Sequence, residues 1–131
     1  MPDPNSISVV STDAAPGAIG PYSQGIVAGN LLFISGQIPI DPETGELVEG
    51  SIEDKTRRVV KNVKAVAEAA GADLSRVVKT TIFLTDLADF VAVNDTYGSY
   101  FGDTPPARST IQVAALPKGV AIEIEAIVAL P

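Results

Sequence analysis

Between Val120 and Leu130 the chain alternates apolar and polar side chains, and Ile122-Glu123-Ile124-Glu125-Ala126 reads as little else but a strand with one buried face. Ile122, Ile124, Ala126 and Val128 form the apolar set. Ala121, Glu123, Glu125 and Ile127 form the other. Such a strand needs a sheet, and the sheet needs a cover on one side. Ile7 to Ser11 predicts a first short strand, and Ile26 to Ala28 with Leu31 to Ile38 flank Gly29-Asn30 as a hairpin does. Val77 to Leu84 and Arg108 to Val113 are further β-prone runs. Pro16-Gly17-Ala18-Ile19-Gly20-Pro21 must be a loop, and Asp41-Pro42-Glu43-Thr44-Gly45 a turn.

Two segments supply helices. Ser51 and Asp54 form a capping box, after which Val59, Val63, Val66, Ala67 and Ala70 recur at helical spacing until Gly71. Asp86 is the expected cap of a second helix with the stripe Phe90, Val93, Tyr97, Tyr100 and Phe101, closed by Gly102. The order β, β, β, α, β, α, β, β has too few helices for a doubly wound sheet. It predicts an α+β fold, a single mixed six-stranded sheet with both helices on one face. No repeat or linker divides residues 1–131, which read as one domain.

Strand parity then sorts the side chains. Val78, Thr80, Ile82 and Leu84, Ser109, Ile111 and Val113, and the apolar set of the last strand are expected to face the helices. Lys79, Thr81 and Phe83, Arg108, Thr110 and Gln112, and Glu123 and Glu125 are expected on the uncovered face. That face mixes charge, hydroxyl and apolar groups. It suits a subunit interface with a polar pocket, or a plain solvated face. On this parity Arg108 and Glu123 share a side, as one site or as an ion pair.

Composition narrows the chemistry. The chain has no Cys and no His, which removes disulfides, thiolate nucleophiles, imidazole bases and the usual zinc ligands. Sixteen acidic against nine basic residues, a net charge of -7, disfavour nucleic-acid binding. Aromatic residues make up 5% of the chain and Trp is absent, so the core rests on Val, Ile, Leu and Ala, and an oligomer that covers apolar surface is plausible. Met1 to Ser6 has neither the basic nor the apolar region of a signal peptide, and no apolar run reaches membrane-spanning length. The expectation is a soluble, cytoplasmic protein.

Four positions stand out within that inventory. Arg108 follows Thr104-Pro105-Pro106-Ala107, a stiff approach that delivers a permanent cation at the start of a strand. A guanidinium can grip a small carboxylate through two parallel hydrogen bonds, or form a cross-strand salt bridge. Asn94 lies on the apolar side of its helix, where its amide must find partners at the risk of a penalty of about 1 to 3 kcal/mol. Ser35-Gly36-Gln37 ends an apolar strand in a way that permits close approach of a ligand, or a bulge. Tyr22, after Gly20-Pro21, can hang a phenol over a pocket, or simply pack.

Gly20-Pro21-Tyr22-Ser23-Gln24-Gly25, Ser35-Gly36-Gln37-Ile38-Pro39, Val93-Asn94-Asp95-Thr96-Tyr97, Pro106-Ala107-Arg108-Ser109-Thr110 and Ile122-Glu123-Ile124-Glu125-Ala126 together resemble the RidA family, also called YjgF, over nearly the whole chain. The resemblance implies a chorismate-mutase-like fold assembled as a homotrimer, with the sheets forming a central barrel and a site in each inter-subunit cleft. It implies hydrolysis of 2-iminobutanoate, 2-iminopropanoate and their enamines, products of pyridoxal-phosphate dehydratases, to 2-keto acids and ammonia. Carried over, Arg108 holds the substrate carboxylate and Glu123 positions water and moves protons. Tyr22, Ser35 and Asn94 line the pocket, and the backbone at Gly36 and Thr110 contacts the ligand or water, Thr110 standing at a position often occupied by Cys in the family. An imine carbon is already electrophilic, so neither metal nor cofactor is expected. The competing readings are a non-catalytic sensor of keto acids, and an endoribonuclease or translation inhibitor.

Overall fold

In the computed structural model, which describes residues 5–131, the strands are β1 (Ile7–Val10), β2 (Gly25–Ala28), β3 (Leu31–Gln37), β4 (Val77–Leu84), β5 (Ala107–Gln112) and β6 (Ile122–Ala129). The helices are α1 (Ile52–Ala69) and α2 (Phe90–Gly98). One six-stranded sheet runs in the order β1-β2-β3-β6-β4-β5. Every pairing is antiparallel except β4 with β5, whose chains run parallel because α2 carries the crossover between them. The predicted mixed sheet with two helices is the observed fold.

α1 starts where the sequence places it. The Asp54 N–H donates to the Ser51 hydroxyl at 3.1 Å and the Ser51 N–H donates to the Asp54 carboxylate at 3.4 Å, the reciprocal capping box. Gly71, at φ +85°, lets the chain leave in the left-handed conformation. Val59, Val63, Val66 and Ala67 bury the inner face of α1 against Leu32, Ile34, Ile124, Ala126 and Val128 of the sheet. Each fully buried Val is worth roughly 1.5 to 3 kcal/mol relative to exposure.

The second helix departs from expectation at both ends. Asp86 caps a short 3-10 turn, Leu87–Asp89, with its carboxylate accepting from the Ala88 N–H at 2.9 Å, and α2 proper begins at Phe90 without a side-chain cap. It stops at Gly98 instead of Gly102. There Ser99 turns its hydroxyl back on the Thr96 carbonyl at 2.6 Å, which competes with the helical ladder, and Tyr100 and Phe101 continue as single turns.

Two irregularities reset side-chain parity. Between Ile34 and Gln37 β3 advances three residues while β6 advances two, from Ala126 to Ile124, so a bulge sits at Ser35-Gly36. At the start of β4 the step from Val77 to Lys79 matches a single step on β6. Val77 therefore takes the buried position, 5% exposed, and Val78, expected inside, is 45% exposed.

The larger correction concerns β5. Arg108 pairs in register with Thr80 and Thr110 with Ile82, both buried beneath the helices, so Arg108, Thr110 and Gln112 lie on the helix-covered side. Ser109 and Ile111 lie on the uncovered side with Thr81 and Phe83. Parity failed there because β5 is an edge strand that the helices cover only in part, so the more apolar set carries little information. Glu123 pairs with Phe83 and Glu125 with Thr81 on the uncovered face, as expected. Across that face Val9, Ile26, Phe33 and Ile127 form one continuous apolar row. No helix among the described residues is long and apolar enough to cross a membrane.

Candidate functional site

The residues singled out in the sequence fall into two separate groups within the protomer. Tyr22, Ser35, Gly36 and Glu123 line a hollow of about 520 Å³. Asn94 and Arg108, with Tyr97, Gly98, Pro105 and Pro106, line another of about 420 Å³. Arg108 and Glu123 therefore make no ion pair with each other, and the shared side assigned to them by parity does not exist within one chain.

The Glu123 hollow is built from main-chain geometry. The bulge in β3 brings Gly36 so close that a Cβ there would stand 2.3 Å from the Glu123 Oε2 atom. Only glycine leaves the carboxylate its place. Burial pushes the Glu123 carboxyl above its ordinary range, and the neighbouring Glu125 pushes it the same way. Glu125 is exposed and lies outside the hollow. The Ser35 hydroxyl donates to the Ser23 carbonyl at 2.5 Å, and the Ser35 N–H donates to the Gln24 carbonyl at 3.0 Å, which joins β3 to the Gly/Pro loop. Tyr22 is half exposed, its hydroxyl accepting from the Ile19 N–H at 3.3 Å.

Two residues of this hollow were not assigned a role from sequence. Gln24 is 4% exposed; its amide oxygen accepts from the Thr12 N–H at 2.6 Å, and its amide nitrogen donates to the carbonyls of Thr12, Ala15 and Pro16. It pins the loop that walls the hollow. Its place between Tyr22-Ser23 and a strand glycine was the available signal. Lys118, at φ +57°, is the one non-glycine among the described residues in the left-handed region, and it stands on the rim. Across the hollow, Ile38 and Ile40 are held by Asn62 of α1, whose amide donates to both carbonyls at 3.2 and 3.0 Å.

The Arg108 hollow is built from aromatic side chains. The guanidinium carbon lies 5.3 Å from the Tyr97 ring centroid and 5.7 Å from that of Phe90. Among the described residues the Arg108 side chain makes no ion pair and no hydrogen bond, so no cross-strand salt bridge forms within the chain. The Asn94 side-chain oxygen and the Thr110 hydroxyl are both buried without a hydrogen-bond partner. Buried polar atoms are nearly always satisfied. Asn94 lines the Arg108 hollow, whereas Thr110, on the same side of β5, is not among the residues that line it. Among the described residues no cluster of three or more His, Cys, Asp or Glu side chains is placed to hold a metal ion.

Fold and geometry together define a small single-sheet α+β protein with two chemically unlike hollows, one cationic and one carboxylate-bearing, on opposite sides of its sheet. The chain belongs to the family described as Endoribonuclease L-PSP, whose model matches residues 12–130, and the resemblance to RidA/YjgF is thereby borne out. A RutC family protein of Pyrococcus horikoshii is 57% identical over 91% of this chain and 94% of its own. The human 2-iminobutanoate/2-iminopropanoate deaminase is 50% identical over 91% of this chain and 87% of its own. The crystal structure of Escherichia coli TdcF with bound serine superposes with a TM-score of 0.90 at 46% identity, covering 95% of this chain and 99% of that one.

Proposed function

We propose that the protein hydrolyses small 2-imino acids and their enamines to 2-keto acids and ammonia, in a site completed where the Arg108 half of one subunit meets the Glu123 half of another. The observation that carries this reading is the unneutralised Arg108, whose hollow is also lined by Asn94 with its unmet side-chain oxygen. A guanidinium left with its in-plane N–H donors unused is matched to the carboxylate that every substrate of this class bears. The deaminase name of the human relative and the serine bound to Escherichia coli TdcF support the same class of ligand.

The reaction needs few groups. Water adds to C2 of the imine to give a carbinolamine, and the C–N bond then breaks to release ammonia and leave the keto acid. An enamine first tautomerises to the imine. Glu123 then takes a proton from the attacking water and passes it to the imine nitrogen as the C–O bond forms, and takes the carbinolamine hydroxyl proton and passes it to the nitrogen as the C–N bond breaks. A carboxyl whose proton affinity is raised by burial is suited to both tasks. Asn94, Thr110, Tyr22, Ser35 and the Gly36 backbone hold the substrate between the two charges.

The split site calls for a homo-oligomer, and a trimer closed through the apolar row Val9, Ile26, Phe33 and Ile127 is the proposed assembly. Light scattering should return about three times the 13.5 kDa chain mass; a monomer that turns over substrate would rule out the split site. The ribonuclease reading is weighed down by the net charge of -7 and the lack of His.

The test is keto-acid and ammonia release from 2-aminoacrylate generated in place by a pyridoxal-phosphate dehydratase acting on serine. Faster release with the protein present supports the deaminase. Binding of 2-oxobutanoate without acceleration points instead to the sensor.

A further inference from the structure

We infer that Tyr97, with Phe90 beside it, is a positioning residue for Arg108, holding the guanidinium by aromatic faces so that it is oriented without being neutralised. The inference rests on the reading of Arg108 as the carboxylate grip and deepens it. The chain carries sixteen carboxylates against nine cations, so an exposed arginine on an edge strand has abundant opportunity to pair with one. Arg57 sits 2.8 Å from Asp54, Arg58 donates to the Asn62 side-chain oxygen and Arg76 donates to the Ala129 and Leu130 carbonyls, so among the described residues Arg108 is the arginine whose guanidinium meets no hydrogen-bond acceptor.

Both ring centroids lie within about 6 Å of the guanidinium, the range in which an aromatic quadrupole attracts a cation. A carboxylate partner would occupy the in-plane N–H donors and cancel the charge. A ring face does neither, and the edge that must meet a ligand stays available.

Tyr97 is itself fixed. It is 5% exposed, its ring centroid stands 4.7 Å from that of Phe101, and its hydroxyl lies 2.7 Å from the Thr80 hydroxyl. Thr80 is the residue that pairs in register with Arg108 across β4 and β5. The three residues therefore close a triangle: backbone pairing joins Arg108 to Thr80, a hydroxyl pair joins Thr80 to Tyr97, and the ring returns to the guanidinium. Burial raises the Tyr97 phenol above its ordinary range, with the Thr80 hydrogen bond and the Arg108 charge opposing that shift. Tyr97 acts through a neutral ring and not as a phenolate counter-ion.

The experiment compares Tyr97→Phe with Tyr97→Leu in the full chain. Two readouts are used: the ring-current shift of the Arg108 Nε–H resonance in free protein, and affinity for 2-oxobutanoate. Tyr97→Phe should keep the shift and bind near the wild-type level. Tyr97→Leu should lose the shift and weaken binding about tenfold, equivalent to about 1.4 kcal/mol, with KM for the imine rising while kcat holds. Should Tyr97→Leu fail to fold, Phe90→Leu, at a ring that is 36% exposed, carries the same comparison. Retention of both shift and affinity in the leucine variant would overturn the inference. So would an equal loss in the phenylalanine variant, since the hydroxyl and not the ring would then matter. If wild-type protein binds no 2-oxobutanoate, the functional reading fails, and the Arg108 resonance still decides whether the rings hold the guanidinium.

Discussion

The two hollows position their charges in opposite ways. Arg108 brings a charge that no pH removes to a partly covered edge strand, and side chains do the positioning: Tyr97 and Phe90 touch the guanidinium while Asn94 and Thr110 wait unsatisfied nearby. Glu123 brings a charge that can come and go to a central strand, and backbone does the positioning: a bulge, a glycine without a Cβ and a loop tied down by Gln24. Under the proposed function, the Arg108 hollow would hold the ligand and the Glu123 hollow would exchange protons. Substitutions should therefore separate binding from turnover according to the half they strike.

The largest effect is expected at Glu123. Glu123→Gln keeps the shape and removes the base, so turnover should fall by roughly 10² to 10⁴, the usual worth of general acid–base assistance. Affinity for 2-oxobutanoate should survive. Glu125→Gln should stay close to wild type, because Glu125 lies outside the hollow and its Cα is about 6.6 to 6.8 Å along the strand from that of Glu123. Steady-state kinetics on the two purified variants checks the ranking, and the reverse order would move the proton-handling role to Glu125.

Next in size is the loss of the grip. Arg108→Ala should lower kcat/KM by roughly 10² to 10³, since truncating one partner of a desolvated charge pair costs about 2 to 5 kcal/mol. Arg108→Lys should recover little, as a point charge lacks the two-bond geometry. Isothermal titration with 2-oxobutanoate should show the same loss. Unchanged affinity in the alanine variant would dissolve the division between the halves.

Gly36→Ala tests the backbone side of the comparison. Gly36 is not one of the left-handed glycines, so a substitution acts through space and not through φ. The new methyl must displace the Glu123 carboxylate, with a turnover loss of up to about 10²-fold for a misplacement near 1 Å, and ligand affinity should hardly change. Shortening the acid in the double variant Gly36→Ala/Glu123→Asp should relieve the crowding, visible as recovered thermal stability.

The smallest effect is on stability against pH. Because the folded-state pKa of Glu123 is raised, the native chain holds that proton more tightly than the unfolded chain. The favourable contribution is complete below the unfolded carboxyl value and is lost as pH rises through the raised folded one. Glu123→Gln should thus match wild type at acid pH and exceed it in melting temperature above that window. A difference that narrows as pH rises would mean that a cation, and not burial, governs the site.

Much of this was legible in the sequence where local chemistry and tertiary packing agree. The capping box of α1, the hairpin at Gly29-Asn30 and the alternation of β6 each follow from a strong local signal that the core then reinforces. Parity broke where one extra residue shifts the count, as at Val78, or where a strand lies at the edge and both faces reach solvent, as in β5. The second failure mattered for function, because it placed Arg108 and Glu123 on one side. The individual site residues were legible; the surfaces that bring them together are set by register, which no single segment of sequence encodes.

The strand order carries a consequence for how the molecule is made. β6, the last strand to be synthesised, lies in the middle of the sheet, between β3 and β4. A nascent chain can form the β1-β2-β3 meander, and then the β4-α2-β5 crossover, each with one edge, β3 or β4, that only β6 will cover. Until β6 emerges from the ribosome these remain two unconnected pieces, and the insertion of this single ribbon welds them by pairing on both sides at once. Cooperative closure is thus deferred until β6 has been made, and the interval before it is when the β3 and β4 edges must be kept from other nascent chains.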